Sequence, residues 1–321
     1  MCLRTTMRKR LKSVTPRPKD FLDFWQKTRD ELQEVPIGLE REPMSLDDPS
    51  ELRLEHISFD SLMHGRIHGY FLRPANDGGC PLVIHAHGYG SCSSVQWEWG
   101  RAGFNVVGID VRGYGRSAGA LSNVSKWGYI MTGIESPETS ALRGAVCDYL
   151  RAAQVGRRLL APGARRTVFY GRSFGGALAL MAEANARAAD LLVLGVPSFG
   201  WAEGRYFFVK DGSGQQISTY LSAFTDHTED VMLVLRYFDS IYFAELVRCP
   251  ALVGIGLEDV VVPAKTVYPI VNHLGGPVEL MEFPVSHTDR PEEKLWQAFE
   301  TRWQTLAKQG TPNGDRGGIR H

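Results

Sequence analysis

Two hydrophobic periods alternate along this chain. Near the N-terminus, Phe21, Phe24, Trp25 and Leu32 recur at helical spacing, which predicts a helix over about Pro18–Glu34. Leu52–Phe59 then alternates apolar and polar positions, and Arg66–Arg73 follows after a short polar break, predicting an antiparallel hairpin. Further on, short apolar and β-branched runs predict strands near Leu82–His87, Asn105–Asp110, Thr167–Tyr170, Leu191–Val196, Ala251–Gly256 and Val278–Phe283. Helical segments separate them, among them an amphipathic stretch at Lys265–Leu274. Such alternation implies an α/β chain, a mainly parallel sheet flanked by helices on both faces. The segment from Pro197 to Val247 is too long for a plain connection and rich in aromatics, including Trp201, Tyr206, Phe207, Phe208, Tyr220, Phe224, Tyr237 and Phe238. A cap over a site and a completion of the core both account for it.

Between one predicted strand and an Ala/Leu-rich helical run stands Gly171-Arg172-Ser173-Phe174-Gly175. A G-x-S-x-G between strand and helix forms a tight elbow that lifts the serine hydroxyl clear of the sheet. In a chain with 34 glycines the pentapeptide alone means little; its flanks give it weight. A serine hydroxyl is almost fully protonated at neutral pH, so it needs a base and a group to orient that base. Downstream lie His227, His273, His287 and His321. His321 ends a Gly-rich polar tail, His273 falls late in the amphipathic helix, and His227 sits where a helix starts. His287 follows a predicted strand in a short loop, the place from which an imidazole can reach over a sheet edge.

The loop after Ala251–Gly256 offers two carboxylates, Glu258 and Asp259. Adjacent residues on an extended segment point to opposite sides, so one of them faces His287. Two amides complete the constellation as an oxyanion hole, those of Phe174 after the nucleophile and of Tyr89 in the His87-Gly88-Tyr89-Gly90 turn. His85 and His87 share one side of their strand, but no second ligand cluster accompanies them, so we expect them to bond neighbouring backbone and to hold no metal.

These segments resemble carbohydrate esterase family 7 of the α/β-hydrolases, the acetyl xylan esterase and cephalosporin C deacetylase group, from about Pro18 to Trp303. The resemblance is carried by Asp20–Trp25, His87–Tyr89, Asp110–Gly115, Gly128–Ile134, Gly171–Gly176, Leu235–Ala244, Gly256–Pro263 and His287, in this order and spacing. It implies an α/β-hydrolase fold with an N-terminal helix and a partly helical insertion. It assigns Ser173, Asp259 and His287 as the triad, Tyr89 and Phe174 as the oxyanion hole, and Arg112 and Tyr114 to the substrate pocket. It also implies a homo-oligomer, a hexamer. Three positions depart from the family pattern: Phe174 and Tyr114 stand where it has glutamines, and Thr288 where it usually has a glutamate. Aromatic rings in place of two carboxamides favour a different or bulkier substrate.

Composition narrows the partners. Thirty-six basic and thirty-six acidic residues cancel, which argues against nucleic acid or an anionic membrane as the main partner. The basic segment Met1–Lys12 lacks an apolar run behind it and reads as a tail rather than a secretory signal. Five scattered cysteines read as reduced thiols of a cytoplasmic protein. The expected organisation is a tail over 1–17, one catalytic domain over 18–309 with the 197–247 insertion, and a tail over 310–321. The expected activity is that of a cofactor-free serine esterase acting on a small-molecule ester, with an acetyl or other small acyl group.

Overall fold

The computed structural model describes residues 15–46, 50–76, 78–160, 166–286 and 293–309. Residues 1–14 of the expected N-terminal tail and the whole of the expected C-terminal tail, 310–321, lie outside them. Nine strands form one sheet: β1 (Glu40–Met44), β2 (Leu52–Ser61), β3 (Gly65–Pro74), β4 (Leu82–Ala86), β5 (Asn105–Ile109), β6 (Thr167–Arg172), β7 (Leu191–Gly195), β8 (Ala251–Gly256) and β9 (Val278–Phe283). Their order is β1-β2-β3-β5-β4-β6-β7-β8-β9. Pairing is antiparallel from β1 through β3 to β5 and parallel from β5 to β9. The chain leaves β4 for β5 on one side and later returns to β6 on the other. Open α/β sheets place ligands beyond the carboxyl ends of the strands at such a reversal.

Burial explains which strands were legible. Every residue of β4, β5, β7 and β8 is buried, as expected of strands covered on both faces. β1, in contrast, reads Glu-Arg-Glu-Pro-Met and is exposed throughout, so no hydrophobic period announces it. It is held by its neighbour: the Arg41 guanidinium donates to both Glu55 carboxylate oxygens, at 2.6 and 2.8 Å. Charge and Pro43 also guard this outer edge against pairing with another chain.

Helices α1 (Phe21–Glu34), α2 (Trp97–Arg101), α3 (Ala141–Leu159) and α4 (Phe174–Ala186) are followed in the insertion by α5 (Ala202–Phe208), α6 (Gly212–Ala223), α7 (Thr228–Arg236) and α8 (Ser240–Ala244). The last two are α9 (Ala264–His273) and α10 (Glu293–Lys308). α1 stops at Val35, whose backbone is already extended ahead of Pro36. Its buried face sets Trp25 edge-on to Phe238 and Phe243, and Trp25 Nε1 donates to the Tyr237 carbonyl at 3.0 Å. The N-terminal helix therefore packs on the end of the insertion. α3 begins behind Ser140, whose hydroxyl accepts from the Leu142 amide. From α3 the buried Tyr149 hydroxyl reaches the sheet, 2.6 Å from the Ile84 carbonyl and 3.0 Å from that of Tyr170. No described helix is long and apolar enough to cross a membrane.

Candidate active site

Ser173 stands where β6 ends and α4 begins, with φ 52° and ψ −116°. A non-glycine residue in that region costs on the order of 1–3 kcal/mol, so its surroundings must hold it there. They do so through the backbone. The Ser173 amide donates to the Gly195 carbonyl at 2.8 Å, and its own carbonyl accepts from Ala177 and Ser198 amides, both at 3.1 Å. The two motif glycines make the turn sterically feasible. A Cβ on Gly171 would lie 2.1 Å from the Gly175 carbonyl carbon, and one on Gly175 would lie 2.2 Å from the Ala86 carbonyl oxygen.

The parallel register brings the acid to the same edge. Arg172 on β6 pairs with Gly195 on β7, which pairs with Gly254 on β8; Gly256, at the end of β8, pairs with Phe283 at the end of β9. Asp259 leaves the sheet three positions after Gly256 and is buried, whereas Glu258 is exposed. Asp259 Oδ1 accepts from the Val261 and Val262 amides at 2.9 and 2.7 Å, which fixes the carboxylate in the loop. His287 and Thr288 lie outside the described residues. The strand that leads to His287 ends at Phe283, beside the start of the Asp259 loop, where the Leu257 amide donates to the Phe283 carbonyl at 2.8 Å.

Above β4 lies the turn that carries Tyr89. Among the described residues, neither the Tyr89 amide nor the Phe174 amide makes a hydrogen bond. The Phe174 ring is fully buried, with the rings of Tyr89, Tyr129 and Phe199 edge-on at 5.5, 5.9 and 5.6 Å and that of Tyr114 at 6.5 Å. Burial raises the phenol pKa of Tyr89, with Tyr114 adding to the shift, so the hydroxyl stays protonated. Beneath the turn, His87 Nδ1 is 2.7 Å from the Gly88 carbonyl and Nε2 accepts from the Val111 amide at 3.0 Å. That fixes its proton on Nδ1. His85, also expected to bond backbone, instead meets a side chain, with Nε2 2.7 Å from the Tyr70 hydroxyl. Among the described residues no three His, Cys, Asp or Glu side chains group as a metal site.

Arg112, expected in the pocket, is placed differently. It is 1% exposed and its Nε and Nη2 donate to Asp148 at 2.9 and 2.7 Å, with Nη2 also 2.8 Å from the Leu62 carbonyl. A guanidinium so committed ties the loop after β5 to α3 and is not free to meet a ligand. Tyr114, two residues on, does stand in the aromatic group, 5.2 Å from the His87 ring.

The chain matches the acetyl xylan esterase (AXE1) family over residues 3–301. It belongs to that family. An acetyl esterase of Xylanibacter ruminicola is 22% identical over 92% of this chain and 67% of its own length. The acetyl xylan esterase of Paenibacillus sp. R4 superposes with TM-score 0.83 at 23% identity, covering 92% of this chain and 98% of the other. Acetyl xylan esterase 1 of Thermoanaerobacterium sp. gives 0.84 at 24%, covering 95% and 98%. The fold is therefore that of the α/β-hydrolases, and membership of the acetyl xylan esterase family makes the chain a carboxylic ester hydrolase.

Within this family member the insertion completes part of the core: Ile217, Leu221, Val231, Leu235 and Phe238 are buried in it, while Phe207, Phe208 and Phe224 are exposed. The insertion also supplies groups that no sequence motif announced. Gln216 on α6 accepts the Tyr89 hydroxyl proton at 2.6 Å, and the same hydroxyl accepts from the Ile130 amide at 2.9 Å. Phe199, in a loop where Val196, Phe199 and Trp201 all have positive φ, closes the aromatic group around Phe174. Arg205 on α5 is buried behind it, 5.0 Å over the Phe199 ring, with Nη2 donating to Ser213 at 2.6 Å. Its Nε and Nη1 are unpartnered, and burial lowers its pKa to about 10.

Proposed function

We propose that this chain is a serine deacetylase that removes acetyl or similarly small acyl groups from a sugar or small-molecule ester. The reading rests above all on Ser173, held in a strained elbow at the sheet edge from which Asp259 and the loop of His287 also emerge. In this mechanism His287 takes the Ser173 proton as the hydroxyl attacks the ester carbonyl. Asp259 holds the imidazole and balances its charge. The Tyr89 and Phe174 amides receive the developing oxyanion. His287 then protonates the departing alcohol, leaving an acyl-enzyme, and water repeats the sequence to release the acid. The Phe174 ring, expected to favour a bulkier substrate, is fully buried among four other aromatic side chains and so gives that reading no support.

Hydrolysis of p-nitrophenyl acetate tests the proposal. Ser173→Ala should lose roughly ten-thousandfold or more of the wild-type rate. Equal rates would remove Ser173 from the chemistry. Across acetyl, butyryl and octanoyl esters, kcat/KM should fall steeply with length; a preference for octanoyl would instead favour an esterase for bulky acyl groups.

A further inference from the structure

With Arg112 buried against Asp148, the Asp110–Gly115 segment is left without the pocket role its sequence suggested. Its first two residues do something else. Asp110 stands just past β5, 7% exposed; its Oδ1 accepts from the Ser93 amide at 2.6 Å and its Oδ2 from the Arg116 amide at 2.9 Å. The Val111 amide, one position on, donates to His87 Nε2 at 3.0 Å. His87 and Ser93 are the two ends of the turn that carries Tyr89, so one dipeptide grips that turn at both. Between them Gly90 has φ 71°, and Gly90, Ser91 and Cys92 are exposed. A turn with an open tip takes its position from its ends. The dipeptide is itself anchored, because the Arg112 amide and guanidinium both donate to Asp148 on α3. A Cβ on Gly115, where φ is 50°, would lie 2.3 Å from Asp110 Oδ2, so glycine lets the loop close over the carboxylate.

We propose that Asp110 is a positioning residue for the oxyanion hole, holding the Tyr89 turn through the Ser93 amide while Val111 holds it through His87. The inference rests on the esterase reading and names what fixes one of its two donors. A carboxylate suits the place because each of its oxygens accepts from a different loop, one after β4 and one after β5. An asparagine has a single acceptor oxygen, and its amide nitrogen would face the second N–H donor to donor. Hydrogen bonds to a charged acceptor are also the stronger ones. An oxyanion donor stabilises the transition state only as far as its position is set before the charge develops. Beyond the clamp, the Ser94 carbonyl accepts from the Tyr70 hydroxyl at 3.1 Å, so the chain stays attached to β3 when Asp110 is altered.

Hydrolysis of p-nitrophenyl acetate by the full chain, expressed per serine labelled with a fluorophosphonate, tests this. Counting labelled serines removes any loss of folded protein from the comparison. Asp110→Asn should lower kcat roughly ten- to a hundredfold with KM within about twofold of wild type, and Asp110→Ala should lose more. Phenylboronic acid, which forms a tetrahedral adduct on a reactive serine, should bind each variant more weakly by a similar factor. Wild-type kcat per labelled serine in Asp110→Asn, whatever its urea midpoint, would reduce the carboxylate to a support of the fold and overturn the proposal. So would a loss carried by KM alone, or a boronate affinity that holds while kcat falls. Should Asp110→Ala yield no labelled serine, the near-isosteric Asn variant decides by itself. Hydrolysis that survives Ser173→Ala would sink the esterase mechanism instead, a result that no Asp110 variant can produce.

Discussion

The Tyr89 hydroxyl donates to Gln216 Oε1 at 2.6 Å across 127 positions of chain. One residue belongs to the turn above β4, the other to α6 in the insertion, so this bond ties the two together. With the Ile130 amide on its other side, the Tyr89 side chain is held at both ends of its hydrogen-bonding capacity. The turn that would present the Tyr89 amide to an oxyanion is thus braced from the insertion. Misplacing a catalytic donor by about 1 Å can cost on the order of a hundredfold in rate. Gln216→Leu should lower kcat roughly ten- to a hundredfold with little change in KM, and Gln216→Glu, which retains an acceptor, should recover much of it. Tyr89→Phe should show the same loss, and the double variant no more than either. Additive losses would mean that Gln216 acts elsewhere.

Two buried arginines should respond in opposite directions to the same substitution. Arg112 is bidentate to Asp148, so Arg112→Met strands a buried carboxylate and should cost about 3–5 kcal/mol. Arg205 has no carboxylate within ion-pair distance among the described residues. The nearby Asp239 is occupied by the Trp201, Ala202 and Ile241 amides. Arg205→Met should therefore be neutral or stabilising, by up to about 4 kcal/mol. Urea denaturation of both variants measures this; a large loss in the Arg205 variant would show that its stacking on Phe199 outweighs its desolvation.

His85 should make the protein sensitive to mild acid. Burial between Tyr70 and Trp99, with a smaller effect of His87, lowers its pKa to about 3 from an ordinary value of about 6.5. Between those values the unfolded chain takes up a proton that the folded one refuses. Its contribution to stability is complete above pH 6.5 and is lost as pH falls toward 3, at up to about 1.4 kcal/mol per pH unit. Asp239 runs the other way, since burial raises it to about 6 and its contribution is lost as pH rises from about 3.8 to 6. Comparing His85→Gln with wild type isolates the histidine: its urea midpoint should fall less between pH 7 and pH 4.5. Parallel declines would show that His85 gains its proton without unfolding.

At the elbow, Gly175→Ala would drive a methyl to within 2.2 Å of the Ala86 carbonyl oxygen, backbone against backbone. Neither partner is the free end of a flexible side chain. The variant should lose several kcal/mol of stability and its esterase activity together. Wild-type melting behaviour in that variant would require a more yielding junction of β4 and α4.

The pattern of buried strands was readable because a strand covered on both faces must be apolar along its whole length. β8 and β9 occupy the very residues expected, and β4, β5 and β7 differ by one at the end. β1 was unreadable for the converse reason: an exposed edge strand of Glu, Arg and Pro owes its conformation to pairing with β2, which no local period records. The motif Gly171–Gly175 was readable because its glycines answer a local steric demand within five residues of chain.

What the linear chain settled by itself, then, is the position of the buried strands and the elbow at Ser173, since each depends on neighbours a few positions away. Which polar groups find partners was decided only by tertiary structure. Arg112 and Arg172 look alike in sequence, each beside a motif glycine, yet Asp148 lies against the first and the Trp296 ring against the second. Gln216 reaches Tyr89, and Arg205 lies buried behind Phe199, only because a long insertion folds back over β4. Hydrophobic period carries information about burial along the chain; it carries none about which charge meets which across 36 or 127 residues.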